Sequence, residues 1–324
     1  MVDREVGAAL RAVRGPIGPL GLRAGRIFFM LGVGSLAHSS IAQPTVGELL
    51  EQKTVATLQA YAGHCDGIVG VAAIDLTTGR RFSVNGETVF AQASSIKIPL
   101  MIELFRAAQA GDCNLDEKVT LTQADSVGGS GHLREELAKN PVTLTNRDLI
   151  RAMIQFSDNT ATNQCIALAG MPKVNALMDS LGLGRTRLQR VMLDNTSAAA
   201  RDQENISTPL EMARLAELLY QGKFAGSAEM IEILKLVDIG WQLPDSGFRG
   251  AIPKEVVVAA KPGSVRGVQC ETGIVFLEHR PFVLSVMGGY LGESSKPVSE
   301  VTKIVFAHFQ TLAASNSYGN RVRP

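Results

Sequence analysis

Residues 90–101 read Phe-Ala-Gln-Ala-Ser-Ser-Ile-Lys-Ile-Pro-Leu-Met, and this stretch decides both the fold and the chemistry that we predict. Residues 95–110 are apolar nearly all round, which predicts a buried helix. Residues three apart share a helix face, so Ser94 at the helix start would project beside Lys97. Burial disfavours the charged form of a lysine, which could then take the proton of a serine hydroxyl. A serine three residues before a lysine also occurs about once by chance in a chain this long.

A second candidate element, Ser157-Asp158-Asn159, separates two predicted helices over residues 146–156 and 160–169. Ser157 could relay a proton to a leaving group, and Asn159 could hydrogen-bond a substrate amide. The alternative is a helix N-cap, because all three residue types favour that position.

A third element, Lys261-Pro262-Gly263-Ser264, ends a predicted strand over residues 255–265. Lys261 could supply a fixed positive charge facing a carboxylate, and Gly263 could let a substrate approach the backbone closely. Pro262 cannot donate to a sheet ladder, so this strand should lie at an edge. The alternative is a simple exit from strand to turn.

The order of predicted elements indicates an α+β fold. Strands at 68–76 and 81–84 form a hairpin, a helical middle follows, and strands at 255–265, 272–278 and 281–289 precede a last helix at 297–313. The first strands should therefore pair with the last. We expect an α/β lobe from residues 43–87 plus 228–315, and a helical lobe from residues 88–227. The aperiodic stretch 185–208 predicts a long, functional loop, and residues 316–324 a disordered tail.

The composition of the 324 residues excludes several classes of protein. The formal net charge of +1 does not suggest a nucleic-acid partner or a polybasic membrane surface. The four cysteines form no CxxC pair and have no histidine cluster nearby, so we expect no metal site and favour free thiols over a disulfide.

The N-terminal segment 1–42 resembles an export signal. Arg23 and Arg26 precede the apolar run 27–37, and Ser40-Ile41-Ala42 is a candidate cleavage site. The run is too short for a stable membrane anchor, which predicts a periplasmic or secreted protein. The alternative is a buried core helix.

In this order, the three elements match the pattern of class A β-lactamases and penicillin-binding proteins. The chain resembles the class A β-lactamase family over most of residues 45–312, including the flanking residues 90–93, 160–163 and 207–209. The resemblance implies a two-lobed α+β fold, with a five-stranded antiparallel sheet flanked by helices and an all-helical lobe. It also implies an acylated nucleophile, Ser94, with Lys97 as its base.

The resemblance implies roles for the other elements as well. Ser157 would protonate the β-lactam nitrogen, Asn159 would hold the substrate's side-chain amide, and Lys261 would face its carboxylate. The backbone N–H groups of Ser94 and Ser264 would form the oxyanion hole.

The sequence departs from the family on the long loop. Counting back from Ser207-Thr208-Pro209 places Met192 where the family has the glutamate that activates the deacylating water. Thr196 stands in place of the asparagine that helps to hold this water. Asp194 could substitute only in a rebuilt loop, and we favour its pairing with Arg187 or Arg190.

A second departure is Pro262, where the family has threonine or serine. Ser264 could supply the replacement hydroxyl, since residues two apart on a strand share a face. Arg266 is a candidate for the accessory carboxylate-binding arginine, although a solvated arginine at a strand end explains it equally simply.

These observations predict a monomeric hydrolase without cofactors that is acylated on Ser94 by β-lactams and deacylates slowly. The partner would be a small-molecule β-lactam or a cell-wall peptide. Two alternatives use the same residues: a D,D-peptidase or esterase on the same scaffold, and a sensor that binds β-lactams or cell-wall fragments without hydrolysing them.

Overall fold

The computed structural model describes residues 43–193, 203–237 and 247–322. The described residues from Pro44 onward belong to one compact unit. Its strands are β1 (Ile68–Asp75), β2 (Arg81–Val84), β3 (Phe90–Ala91), β4 (Lys118–Leu121), β5 (Val142–Thr145), β6 (Ile206–Ser207), β7 (Val257–Val265), β8 (Val268–Phe276) and β9 (Phe282–Gly289). Its helices are α1 (Val46–His64), α2 (Lys97–Ala110), α3 (Leu133–Leu137), α4 (Asn146–Gln155), α5 (Asn159–Ala169), α6 (Met171–Ser180), α7 (Pro209–Tyr220), α8 (Ser227–Lys235), α9 (Gly247–Ala251) and α10 (Pro297–Ala313).

The main sheet has five antiparallel strands in the order β2-β1-β9-β8-β7. The first strand of the chain pairs with the last, Val71 of β1 lying opposite Val286 of β9, as the sequence predicts. Strand β7 lies at one edge of the sheet, which confirms the position predicted from Pro262.

Strand β8 begins at Val268, not at the predicted residue 272. The start of the strand is not evident in the sequence because it contains the polar residues Gln269, Glu271 and Thr272. Glu271 and Thr272 are adjacent and both buried, so both faces of the strand are covered and the alternation of apolar and polar residues is lost.

Helices cover both faces of the sheet. Helices α1 and α10 pack on one face, in a core that includes Leu58, Phe82 and Phe309. Helix α7 packs on the other face through Ala213 and Ala216. Thr208 caps α7 by accepting a hydrogen bond from the Glu211 amide, and Pro209 starts the helix.

Helix α2 runs through the core of the helical part of the molecule. Residues 98–102 of this helix are all buried, which confirms the prediction of a helix apolar nearly all round. Helices α4, α5 and α6 contribute Met153, Cys165 and Met178 to the same core. The core places Lys97 at the first residue of a rigid, fully packed helix.

Sequence reasoning missed α1 and the two-stranded sheet of β4 and β5, although Thr45 and Glu48 form a capping box at the start of α1. The prediction of a disordered tail is wrong for residues 316–322, because Val322 bonds back to Ala314 and Ser315 bridges to Arg321. The four cysteines are free thiols, Cys165 and Cys270 buried and Cys65 and Cys113 half-buried. The proposed export signal lies outside the described residues, among which no helix is long and apolar enough to cross a bilayer.

Candidate active site

Ser94 lies on a single turn of 3-10 helix, Ala93–Ile96, that leads directly into α2. Ala93 holds a φ of +43°, a backbone conformation that costs energy for any residue with a side chain. Two contacts fix the turn: the Gln92 amide donates to Asn205 O at 2.8 Å, and Ser95 Oγ donates to Gln92 O at 2.8 Å. The turn therefore presents Ser94, which is half-buried, on a rigid support.

Lys97 is fully buried beneath this turn. Its Nζ donates to Ser157 O at 2.8 Å, to Ser157 Oγ at 3.1 Å and to Asn159 Oδ1 at 3.2 Å. Burial lowers the pKa of Lys97 well below its ordinary value, and the charge of Lys261 lowers it further. Among the described residues Nζ makes no hydrogen bond to Ser94, and its three acceptors match the three N–H groups of the ammonium form. Loss of one of these protons would leave a lone pair that can act as a base.

In the Ser157-Asp158-Asn159 element, the structure shows the helix N-cap that was one of the two predicted alternatives. Asp158 is the N-cap of α5, its Oδ1 accepting from the Ala161 amide at 2.9 Å while Oδ2 accepts from the Leu133 amide. Asp158 therefore provides the cap. The side chains of Ser157 and Asn159 are not needed for capping, and both contact Lys97. Ser157 holds a φ of +54°, a strained conformation that aims its buried hydroxyl between two lysines.

Lys261 reaches the same hydroxyl from the sheet. Its Nζ donates to Ser157 Oγ at 3.1 Å and to Pro262 O at 3.0 Å. Burial lowers the pKa of Lys261 to about 7, against the opposing pull of the Glu271 carboxylate. The charge of Lys261 therefore depends on pH near neutrality, and its role facing a substrate carboxylate stays a prediction.

Gly263 is required for a different reason from the one that the sequence suggested. A Cβ at this position would lie 2.6 Å from Gln92 O, 2.7 Å from the Ser94 amide nitrogen and 2.8 Å from that of Ser95. Strand β7 thus packs its backbone directly against the turn that carries Ser94. Ser264, the next residue, is exposed beside that turn, and Arg266 is exposed at the β7–β8 turn.

Hydrogen bonds join the two ends of the long loop, and Met192 near its first end is buried. Asn205 Oδ1 accepts from the amides of Gln189 and Arg190 at 2.7 and 3.1 Å. Met192 is only 8% exposed, and Asn163 holds its peptide, accepting from its amide at 2.8 Å and donating to its carbonyl at 3.3 Å.

The predicted loop residues Asp194 and Thr196 lie outside the described residues. The arginines that we expected to pair with Asp194 have other partners, since Arg187 pairs with Asp179 and Arg190 with Glu204.

Sequence reasoning missed a glycine-rich segment, residues 128–131, that packs against the Ser157-Asp158-Asn159 element. Asn159 Nδ2 donates to Gly128 O at 3.0 Å, and the Asn159 amide donates to Ser130 O at 3.1 Å. A Cβ at Gly131 would lie 2.0 Å from Asp158 Oδ2, and its φ of +108° also demands glycine. The predicted substrate-binding amide of Asn159 is therefore engaged on both sides, by Lys97 and by this segment.

A buried carboxylate, Glu271, also escaped the sequence analysis. It lies opposite Pro262 in the ladder, so it points to the other face of the sheet from Lys261. Glu271 is 2% exposed and accepts a hydrogen bond from the Phe248 amide at 2.9 Å. Burial raises the pKa of Glu271 to about 7.

Comparisons with known proteins identify the relatives of this chain. A family model described as "Beta-lactamase enzyme family" matches residues 53–309. β-Lactamase CTX-M-97 of Escherichia coli is 28% identical over 232 residues, covering 70% of this chain and 78% of its own. A solved ancestral class A β-lactamase is 27% identical with a TM-score of 0.69, covering 80% of this chain and all of its own. The solved structure of PBP-A, 22% identical with a TM-score of 0.70, covers 80% of this chain and 96% of its own, and shows likeness of fold alone.

The fold and these matches define a class, that of the β-lactam-recognising hydrolases. The chain belongs to the β-lactamase enzyme family, and the predicted resemblance to its class A members is confirmed.

Proposed function

We propose that the protein is an active-site serine hydrolase in which β-lactams acylate Ser94 rapidly and the acyl-enzyme is hydrolysed slowly. The observation that carries this proposal is the buried chain of groups Lys97–Ser157–Lys261, which adjoins the strained turn bearing Ser94. Such a chain can move protons between a nucleophile and a leaving group without solvent.

Acylation begins with neutral Lys97, a form that burial favours because it lowers the pKa of this amine well below its ordinary value. Lys97 Nζ takes the proton of Ser94 Oγ as this oxygen attacks the β-lactam carbonyl carbon. The carbon–nitrogen bond of the ring breaks, and Ser157 Oγ delivers its proton to the leaving nitrogen. The protonated Lys97 then returns a proton to Ser157 across the 3.1 Å contact, which balances the step.

The oxyanion of the tetrahedral intermediate is assigned to the backbone N–H groups of Ser94 and Ser264. Support comes from the packing of Gly263 against the Ser94 amide, which brings the edge strand and the nucleophile turn into contact. Backbone donors fixed before the reaction stabilise developing charge without reorganisation. Lys261, while protonated, adds a positive charge for the substrate carboxylate.

Slow deacylation follows from Met192. A thioether is a weak acceptor and cannot take a proton from water at neutral pH. Its side chain is buried and its peptide is held by Asn163, so the loop keeps this residue in place. Loss of a general base typically costs about two to four orders of magnitude in rate.

Stopped-flow kinetics with the chromogenic cephalosporin nitrocefin test this proposal. We expect a burst of one product molecule per enzyme, followed by a steady state slower by at least about a hundredfold. Ser94→Ala should abolish the burst. Rapid steady-state hydrolysis without a burst, or a burst that survives Ser94→Ala, would overturn the proposal.

A penicillin-binding D,D-peptidase or esterase is the second candidate, and Met192 favours it, because a loop without a base suits an enzyme that β-lactams inhibit. Release of D-alanine from a peptide ending in D-Ala-D-Ala, faster than nitrocefin turnover and lost in Ser94→Ala, would favour this candidate.

A further inference from the structure

One buried thiol, that of Cys270, touches the nucleophile turn (Ala93–Ile96), which carries Ser94. Cys270 lies in β8, next to the edge strand β7, and is 1% exposed. Its Sγ lies 2.8 Å from Gln92 O and 3.2 Å from Ser95 Oγ. Gln92 precedes the turn and Ser95 is part of it, so the thiol joins the main sheet to the nucleophile turn. The mechanism proposed above makes no use of this thiol.

The thiol of Cys270 is a donor to the main chain. Burial raises the pKa of Cys270 to about 11, so the thiol keeps its proton at neutral pH. Two carbonyl oxygens lie within its reach, Gln92 O at 2.8 Å and Gly263 O at 3.4 Å, and the shorter contact is the one to Gln92. The amide and the hydroxyl of Ser95 approach the same oxygen at 3.0 and 2.8 Å. Groups of both the turn and the sheet therefore hold Gln92 O.

The carbonyl of Gln92 belongs to the peptide group that precedes Ala93. Rotation of this peptide group about the N–Cα bond of Ala93 changes the φ of Ala93, which is held at +43°. Such a φ costs energy for a residue with a side chain and persists only where the surrounding contacts fix it. Because Ala93 immediately precedes Ser94, relaxation of this φ would move the hydroxyl of Ser94.

The side chain of Gln92 is fixed by the next strand of the sheet. Met287 of β9 lies opposite Cys270 in the ladder, and Gln92 Nε2 donates to Met287 Sδ at 3.1 Å. Gln92 Oε1 accepts from Ser95 Oγ at 2.6 Å. Gln92, Ser95 and Met287 are fully buried. Water is therefore poorly placed to replace the S–H donor of Cys270 if that donor is removed.

We propose that Cys270 is a positioning residue for Ser94: its S–H holds the Gln92 carbonyl and thereby keeps the nucleophile turn in its strained shape. The inference rests on the proposed function, because it takes Ser94 as the nucleophile. Displacement of a reacting atom by about 1 Å can cost about a hundredfold in rate. Removal of the S–H should therefore slow the acylation step and leave the initial binding of the β-lactam, which precedes bond formation, nearly unchanged.

Three replacements of Cys270 separate the donor from the volume of the side chain. Cys270→Ser keeps one donor, Cys270→Ala removes it, and Cys270→Val restores much of the volume without a donor. Stopped-flow kinetics with nitrocefin give the maximal acylation rate constant and the nitrocefin concentration at half of that rate. We expect Cys270→Ala and Cys270→Val to lose at least about tenfold in the rate constant, with the half-saturating concentration within about threefold of the wild type. We expect Cys270→Ser to keep the rate constant within about threefold of the wild type.

Cys113→Ala is the matched control. Cys113 is a half-buried thiol that packs against the helical core, and its Sγ donates to Leu104 O at 3.6 Å. Its removal deletes the same kind of contact away from the nucleophile turn, so acylation should proceed at the wild-type rate. Denaturant unfolding checks that each variant is folded, and Cys270→Val decides if Cys270→Ala does not fold.

The outcomes separate this inference from the proposed function. Wild-type acylation by Cys270→Ala and Cys270→Val would overturn the inference alone. A rate constant of Cys270→Ser as low as that of Cys270→Ala would also overturn it, because the donor would then not be the cause. If the wild type shows no burst that depends on Ser94, the proposed function fails and the inference fails with it.

Discussion

Lys97 and Lys261 donate to the same atom, Ser157 Oγ, each at 3.1 Å. Both amines are fully buried, and burial is the largest cause of the lowered pKa of each. Two ammonium groups so close repel one another, which favours the state with one neutral amine. When the Ser157 oxygen accepts both N–H groups, its own proton is left to donate elsewhere. The pair of lysines thus orients the hydroxyl that we propose as the proton donor to the leaving group.

Replacement of Ser157 by alanine should slow acylation. The change removes the shared acceptor of two buried amines and the proposed proton relay, so we expect the second-order rate constant for benzylpenicillin to fall by about 10²–10⁴-fold. The measurement is the rate of adduct formation by quenched-flow mass spectrometry.

Thr143→Ala is a matched hydroxyl deletion, at an exposed residue whose hydroxyl shares a hydrogen bond with Thr120 Oγ1 across the two-stranded sheet of β4 and β5. It should acylate at the wild-type rate. An unchanged rate in Ser157→Ala would remove Ser157 from the mechanism.

A base introduced at Met192 should accelerate deacylation. Met192→Glu introduces a carboxylate side chain at the position whose backbone N–H and carbonyl are hydrogen-bonded to Asn163. We expect breakdown of the acyl-enzyme to accelerate at least tenfold. Met192→Gln is the control, because it has the same shape and cannot act as a base. If both variants deacylate at the wild-type rate, the loop position assigned to Met192 is wrong.

A methyl group at Gly263 should disable the site. Since its Cβ would lie 2.6–2.8 Å from backbone atoms of the Ser94 turn, Gly263→Ala must push β7 and the turn apart. We expect acylation to slow at least tenfold and the free energy of unfolding to fall by about 1–3 kcal/mol, as for overpacking of a core.

Gly63→Ala is the control for this experiment, since no atom lies within 4 Å of a Cβ at that helical position. It should leave acylation unchanged and raise stability slightly, because alanine has the higher helix propensity. Denaturant unfolding and adduct formation measure both effects. Wild-type acylation by Gly263→Ala would contradict the packing argument.

The spacing of residues in the sequence predicted the parts of the site that depend on neighbouring residues. The parts that depend on contacts between distant segments could not be predicted in this way. Ser94 and Lys97 are three residues apart, on a 3-10 turn and at the start of the helix that follows it, and Pro262 marks an edge strand, so both followed from local rules. The glycine-rich segment at 128–131 is needed only because Asp158 and Asn159 pack on it, some 30 residues away. From the sequence alone, Glu271 is expected to be a solvated charge. Its burial follows only from the structure, in which both faces of β8 are covered at this point.

The buried carboxylate of Glu271 should make stability depend on pH. Its pKa rises from 4.5 to about 7 on folding, so the folded state retains a proton that the unfolded state releases. Stability is therefore lost as pH rises from about 4.5 to about 7. Glu271→Gln removes this loss, and its stability advantage over the wild type should grow across that interval by roughly 3 kcal/mol.

Lys261 acts in the opposite direction at higher pH, because its pKa falls from 10.5 to about 7 on folding. Its stability cost is complete below about pH 7 and disappears as pH rises towards 10.5. Comparing Glu271→Gln with the wild type between pH 4.5 and 7 separates the two groups. Parallel stability curves for the two proteins would contradict the assignment to Glu271.

Intact-protein mass spectrometry after mixing with benzylpenicillin, followed from seconds to hours, tests acylation of Ser94 and slow deacylation in one experiment. We expect an adduct of one penicillin per chain that forms within seconds, persists for many minutes, maps to Ser94 and is absent from Ser94→Ala. Hydrolysed penicillin with no lasting adduct would contradict slow deacylation. An adduct that survives Ser94→Ala would contradict the assignment of the nucleophile.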